Sequence, residues 1–343
     1  MIPINLRSDT QTLPTPAMLE AIASAPLGDD TYRADPTVER FEAMAAAAMS
    51  KPAALLVISG HVANLIALMV HAPPGDEVIL DADSHIFHYE VGSLASVAGL
   101  MPMPVASEAG LLDPDRVAAA IREPDIHYPT PRLLCLENTH NRSGGRVIPL
   151  GLHDRLCELA RARGLAVHLD GARIFNAAIA AGVAVADYTA KADSVMFALS
   201  KGLSCPLGSV LAGSTEFIER AREVRRRLGG GMRQAGIIAA AGIVALETMI
   251  NRLAEDHARA RTLAEGLATI PGLAVDLERV ETNMVNVDHV ATGKSTDELL
   301  ALLERHGVIA SGRPPRHLRL VTNRHHDDAT IAEALARIRA ALA

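Results

Sequence analysis

Lysine is scarce in this chain. Lys51, Lys191, Lys201 and Lys294 are the only four, against 29 arginines. The net charge is −7, and no lysine-rich patch opposes it, so nucleic acid is not an expected partner. Cysteine is scarcer still. Cys135, Cys157 and Cys205 are scattered, two of them inside apolar runs, which argues against a disulfide framework. Long apolar runs are missing as well: the longest, roughly residues 235–246, is too short to span a bilayer. The opening MIPINLRSDT carries Arg7 and no apolar core of a signal peptide. These absences predict a soluble, cytoplasmic protein with no membrane partner. With 343 residues, 49% hydrophobic and 21% charged, the chain has room for one large and one small domain with ample core.

The chemistry concentrates between Val167 and Gly202. VHLDGARIFNAA opens this stretch and DSVMFALSKG closes it. Val167 to Leu169 form a β-rich run that ends in a charge, Asp170. Ser194 to Leu199 form a second such run, with Ser200 and Lys201 in the turn that follows. If both are strands of one parallel sheet, Asp170 and Lys201 open onto the same carboxyl-end crevice, where doubly wound folds bind ligands. A carboxylate and an amine in one crevice suit pyridoxal 5'-phosphate (PLP): the amine makes a Schiff base and the acid pairs with the protonated pyridine nitrogen. The other three lysines read as solvated, whereas Lys201 lies between a strand end and a glycine. Nearer the start, AALLVISGHVANLIALMV reads as strand, tight turn and helix. A phosphate at Ser59, Gly60 and His61 would meet free backbone N–H groups and the positive end of the helix dipole.

INLRSDTQT, GDDTYRADPTV, SHIFHYE, ENTHNRSGGRV, HLDGARIFNAA, LSKG, LGGGMRQAG and LRLVTN occur in that order. Together they resemble the successive signatures of the low-specificity L-threonine aldolases, PLP enzymes of the aspartate-aminotransferase-like fold. The resemblance runs to about Asn323 and implies fold type I: an α/β large domain with a mainly parallel seven-stranded sheet, and a small α+β C-terminal domain. Expected boundaries are an arm over 1–16, the large PLP-binding domain over 17–249 and the small domain over 250–343. The implied reaction is reversible retro-aldol cleavage of L-threonine, L-allo-threonine and related β-hydroxy-α-amino acids to glycine and an aldehyde, in a homo-oligomer, dimer or tetramer, with shared active sites.

The resemblance also assigns roles. Lys201 carries PLP, Asp170 holds its ring nitrogen, and Arg173 pairs near the ring hydroxyl or with the substrate carboxylate. His85 stacks on the ring and can move protons. His127 matches a second family histidine near the substrate side chain. Arg319, with Ser8, grips the α-carboxylate; Tyr32 and Tyr89 line the substrate side; Arg233 reaches a phosphate, across a subunit boundary in one arrangement. The base is left open among His85, His127 and a water. His61, Arg33, Ala34 and Asn323 depart from the family pattern. His85 and His88 alone could suggest a metal pair, but no third ligand stands nearby, so no metal is expected. Rival readings are β-elimination or racemisation on the same scaffold, a metal-dependent hydrolase, and a non-catalytic binding protein, which would leave the Lys201 amine idle.

Overall fold

The computed structural model of the chain describes residues 2–313 and 315–343. Twelve strands occur among them: β1 Ile4–Asn5, β2 Ala53–Val57, β3 Glu77–Asp81, β4 Met101–Val105, β5 Pro131–Glu137, β6 Ala166–Asp170, β7 Ser194–Ala198, β8 Ser209–Gly213, β9 Met284–Asp288, β10 Val308–Ile309, β11 Ser311–Arg313 and β12 His317–Val321. Seven of them form one sheet in the order β2-β8-β7-β6-β5-β3-β4. Only β8 runs against its neighbours; the other contacts are parallel. Every residue of β3, β7 and β8 is buried, which is why these segments read as unbroken apolar runs rather than as alternating ones.

Helices cover both faces. On one side, Pro36–Ala48, Leu150–Ala162 and Gly236–Thr248 pack over a cluster that includes Phe41, Leu134 and Phe197. On the other, Gly60–His71 and Thr215–Arg227 cover Leu55, Ile66, Met196 and Leu211. Local signals set the helix ends. Asp35 and Asp113 cap the helices that begin at Pro36 and Pro114, and Gly164, with φ +73°, follows the helix ending at Ala162. No single helix among the described residues is long and apolar enough to cross a membrane.

A second apolar cluster, with Leu263, Val285, Leu320 and Ile338, belongs to the C-terminal part and also takes in Ile4 and Leu6. The sheet there is antiparallel, ordered β11-β12-β9, and β1 pairs with β10 in parallel. The extended arm expected at the N-terminus is thus docked on the far end of the chain. LAVDLERV, residues 273–280, reads in sequence as a strand of the small domain, but it makes a single bridge from Ala274 to Asp288 and then a 3-10 turn over Leu277–Arg279. Asp276 bonds to the Glu278 N–H and so supplies the backbone with a local turn in place of a ladder.

Candidate active site

The parallel register brings the carboxyl ends of β2, β3, β5, β6 and β7 to one edge of the sheet, around a cavity of about 270 Å³. Lys201 and Asp170 both line it. Lys201 leaves β7 through a turn in which its carbonyl accepts from the Ser204 N–H at 2.8 Å and the Thr12 hydroxyl at 2.8 Å. Its amine makes no salt bridge among the described residues. Burial, and then the Arg173 guanidinium, push its pKa down to about 8, against the pull of Asp9, Asp170 and Glu137. Asp170 is buried at the end of β6. It accepts from Asn64 Nδ2 at 2.9 Å and from the Ala172 N–H at 3.1 Å.

His85 starts a short helix after β3, and its backbone N–H donates to Glu137 at 2.6 Å. Its Nδ1 lies 3.0 Å from Glu90, a fully buried carboxylate. Burial alone would lower the His85 pKa. The Glu90 hydrogen bond and the charges of Asp170, Glu90 and Glu137 outweigh it, and the net direction is upward. Across the cavity, Ser59 caps the helix Gly60–His71 by accepting from the Val62 N–H at 3.3 Å. The N–H groups of Gly60 and His61 in that first turn have no intrahelical acceptor. The backbone of Gly60 approaches Met196 closely: a Cβ would stand 2.8 Å from Met196 Cε, and only that flexible side chain would have to give way. His61 Nε2 sits 2.9 Å from Ser93 Oγ, so its ring is held from the side.

Arg319 projects from β12 into the same cavity. Nη1 donates to Asn141 Oδ1 at 2.9 Å, and Nε is buried without a partner. Burial, Arg313 and Arg173 together lower its pKa to about 10, as expected of a guanidinium short of an anion. Arg173 is not short of one: its Nε and Nη2 grip both oxygens of Asp9 at 2.7 and 2.6 Å. Ser8 lines the cavity and also caps the Asp9–Gln11 turn, accepting from the Thr10 N–H at 3.2 Å.

The residues fit PLP. The cavity holds an unpaired amine with a lowered pKa, a carboxylate on its floor and an imidazole wall. It also holds a helix N-terminus beside Ser209, whose buried Oγ has no hydrogen-bond partner. A wider cavity of about 550 Å³ lies between the arm and the last helix, lined by Ile4, Leu13 and Arg337 among others; it contains no such pair of amine and acid.

The family model for beta-eliminating lyases matches residues 5–290. Over 332 residues the chain is 45% identical to low-specificity L-threonine aldolase 1 of Arabidopsis thaliana, covering 95% of this chain and 92% of that relative. It is 42% identical to the low specificity L-threonine aldolase of Escherichia coli K12 over 342 residues, 99% of both chains. The chain belongs to the low-specificity L-threonine aldolase family. The fold agrees: the threonine aldolase of Leishmania major superposes with a TM-score of 0.85 at 18% identity, over 99% of this chain and all of that one. A serine palmitoyltransferase of Sphingomonas wittichii gives 0.80 at 18% identity, over 99% of this chain and 87% of that one.

The family's expected residues divide into two groups. Ser8, Gly60, His61, His85, Asp170, Arg173, Lys201 and Arg319 line one cavity, with Ser59 at the helix cap beside it. Tyr89 faces a neighbouring cavity, its hydroxyl 3.2 Å from Arg142 Nη1. His88 turns to the Ala82 carbonyl at 2.7 Å. His127, Tyr32 and Arg233 do not reach the pocket of their own chain. His127 is exposed in the loop before β5, at the opposite edge of the sheet. Tyr32 is 78% exposed, and Arg233 donates to Thr31 Oγ1 at 2.9 Å, so these two share one surface site. Asn323 is buried, its N–H directed at His326 Nδ1.

No local pattern marked Asp9, Asn64, Glu90 or Asn141, whose roles depend on partners remote in the chain. The expectation that the other lysines are solvated fails at Lys51, whose Nζ donates to the Ala192 carbonyl; Lys191 pairs near the surface with Asp154 and Glu158. Lys294 is exposed.

Proposed function

We propose that this pocket cleaves L-threonine, L-allo-threonine and related β-hydroxy-α-amino acids to glycine and an aldehyde, reversibly. The observation that carries the reading is the shared cavity of Lys201, Asp170, His85 and Arg319 in a chain of this family. PLP bound there supplies an electron sink for the pair left on Cα when a bond to it breaks. Lys201 is the residue to hold it, because its lowered pKa leaves a useful fraction of free amine near neutral pH. Asp170 keeps an opposite charge against the ring nitrogen. Gly60 and His61 N–H groups, with Ser59 and Ser209 beside them, receive the phosphate.

Arg319 would bind the substrate α-carboxylate and so fix how the substrate is turned about Cα, the orientation on which the cofactor's chemistry would act. Arg173, already held by Asp9, contributes its remaining donor and its charge rather than a second full clamp. His85 has Nδ1 turned to Glu90, so Nε2 is the nitrogen left to take the β-hydroxyl proton. The positions of His127, Tyr32 and Arg233 on exposed segments support a homo-oligomer, dimer or tetramer, in which they complete a neighbour's pocket. The two apolar clusters support a large and a small domain, with Ile4 and Leu6 of the arm packed into the small one and Leu253 still in the large one, so the boundary falls a little beyond 249/250.

The test is direct. Purified protein loaded with PLP should release glycine and acetaldehyde in equal amounts from L-threonine and L-allo-threonine. Ammonia and a keto acid from the same substrates would point to β-elimination instead and overturn the reading.

A further inference from the structure

Asn64 is buried in the helix Gly60–His71 and touches two carboxylates at once. Its Nδ2 lies 2.9 Å from Asp170 Oδ2 and 2.7 Å from Glu90 Oε1. Two buried carboxylates can be served together only by the NH2 end of the amide, with one hydrogen for each. That fixes which way the amide points. Its Oδ1 then faces His168 Nε2 at 3.0 Å and must accept from it, so the His168 proton is on Nε2 and its Nδ1 carries a lone pair.

Ser194 Oγ, 2.8 Å from that Nδ1, donates its only proton there. The same oxygen accepts from His71 Nε2 at 2.7 Å. Every link therefore has a single permitted direction, and the donors all point toward the pocket floor. Burial lowers the pKa of His71 to about 4 and of His168 to about 3, so both rings are neutral, as the lone pair on His168 Nδ1 requires. The chain has a rigid frame: His168 and Ser194 are register partners on β6 and β7, and His71 stacks on Phe217 at 4.7 Å.

We infer that Asn64 is a positioning residue that ties Asp170 and Glu90 into one unit, and that His168, Ser194 and His71 lock its orientation. The pocket floor thereby presents Asp170 in one fixed orientation to the cofactor's ring nitrogen. Without the amide, Asp170 and Glu90 lose the donor they share and two buried carboxylates face each other with nothing between them. Asp170 then has no set position toward the ring. The inference rests on the role given to Asp170 above.

The experiment compares binding of PLP with binding of 1-deaza-PLP, in which carbon replaces the ring nitrogen, to full-length protein freed of cofactor. Both ligands use Lys201 and the phosphate site equally; only PLP can use Asp170. Wild type should bind PLP at least tenfold tighter than the analogue. Asn64→Leu, which keeps the branched side chain of four heavy atoms, should remove most of that preference by weakening PLP while leaving the analogue within about threefold. Should that variant fail to fold, His168→Phe, which deletes the donor to Asn64 Oδ1, should lower the preference at least threefold. Asn64→Leu or His168→Phe with the wild-type preference, or with both ligands weakened alike, overturns the inference and marks these residues as merely structural. A wild type with no preference overturns the role of Asp170 itself, and this inference falls with it.

Discussion

Lys201 carries an amine whose environment disfavours its charge. Burial and Arg173 outweigh Asp9, Asp170 and Glu137, and the pKa falls from 10.5 to about 8. The unfolded chain therefore holds a proton that the folded one releases between pH 8 and 10.5. Stability of the cofactor-free protein is lowered by this group throughout the range below pH 8, and the penalty fades as pH rises toward 10.5. Lys201→Met should consequently melt higher than wild type at pH 7, with the gap closing by pH 10; a gap constant across that range would show that the amine is not titrating there. The same variant should lose all aldol cleavage, and borohydride with PLP should label no other single lysine. Arg319→Lys tests the opposite case, a charge wanted for its shape. A point charge cannot reproduce the planar fork. KM for threonine should rise and kcat fall, together at least a hundredfold in kcat/KM, while the affinity for PLP is unchanged.

The arm acts as an element because one residue of it reaches the centre of the molecule. β1 pairs with β10, Leu6 takes the Val321 N–H on its carbonyl at 2.8 Å, and Asp9 then meets Arg173, 164 positions away. Both side chains of this pair are buried. Asn283 adds a third donor to Asp9 at 3.2 Å. Burial would raise the Asp9 pKa, but Arg173, Lys201 and Asn283 bring it down to about 2. A carboxyl whose folded pKa lies below its unfolded value of 3.8 stabilises the fold above about pH 4 and loses that contribution as pH falls to 2. Asp9→Asn leaves a buried guanidinium without its anion, and should cost about 3–5 kcal/mol in urea unfolding at pH 7. The variant should also show a flatter stability profile than wild type between pH 4 and pH 2. A loss under 1 kcal/mol would mean that Arg173 finds another partner.

On the scale of the whole molecule, the site is assembled where the two apolar clusters meet. The loop after β5 supplies Asn141, which holds Arg319 of β12, and the approach between the two parts is set by Gly145. Its φ is +75°, and a Cβ would stand 2.4 Å from Thr282 Oγ1, the hydroxyl that donates to the Gly145 carbonyl at 2.7 Å. Gly145→Ala meets both the left-handed backbone region and this contact. It should cost about 1–3 kcal/mol and displace the loop from β12. The expected signature is a lower Tm with a raised KM for threonine and little change in cofactor affinity. A variant destabilised but with the wild-type KM would separate this junction from the site.

Residues 167–202 determined most of what the chain does, because a strand followed by a turn is a local event. Buried parallel strands read as apolar runs, and a charge just past one falls at the carboxyl edge whatever the neighbours are. Asp170, Lys201 and the Ser59–His61 turn were legible for that reason, and His85 through the resemblance to the family. The same logic failed at LAVDLERV, where a local Asp276 turn replaced the ladder. Tertiary structure alone decided the rest. Asp9 on Arg173, Asn64 between Asp170 and Glu90, and Asn141 on Arg319 are hydrogen bonds between segments remote in sequence. Their strength comes from burial that exists only once the sheet, its helices and the C-terminal part have closed around them.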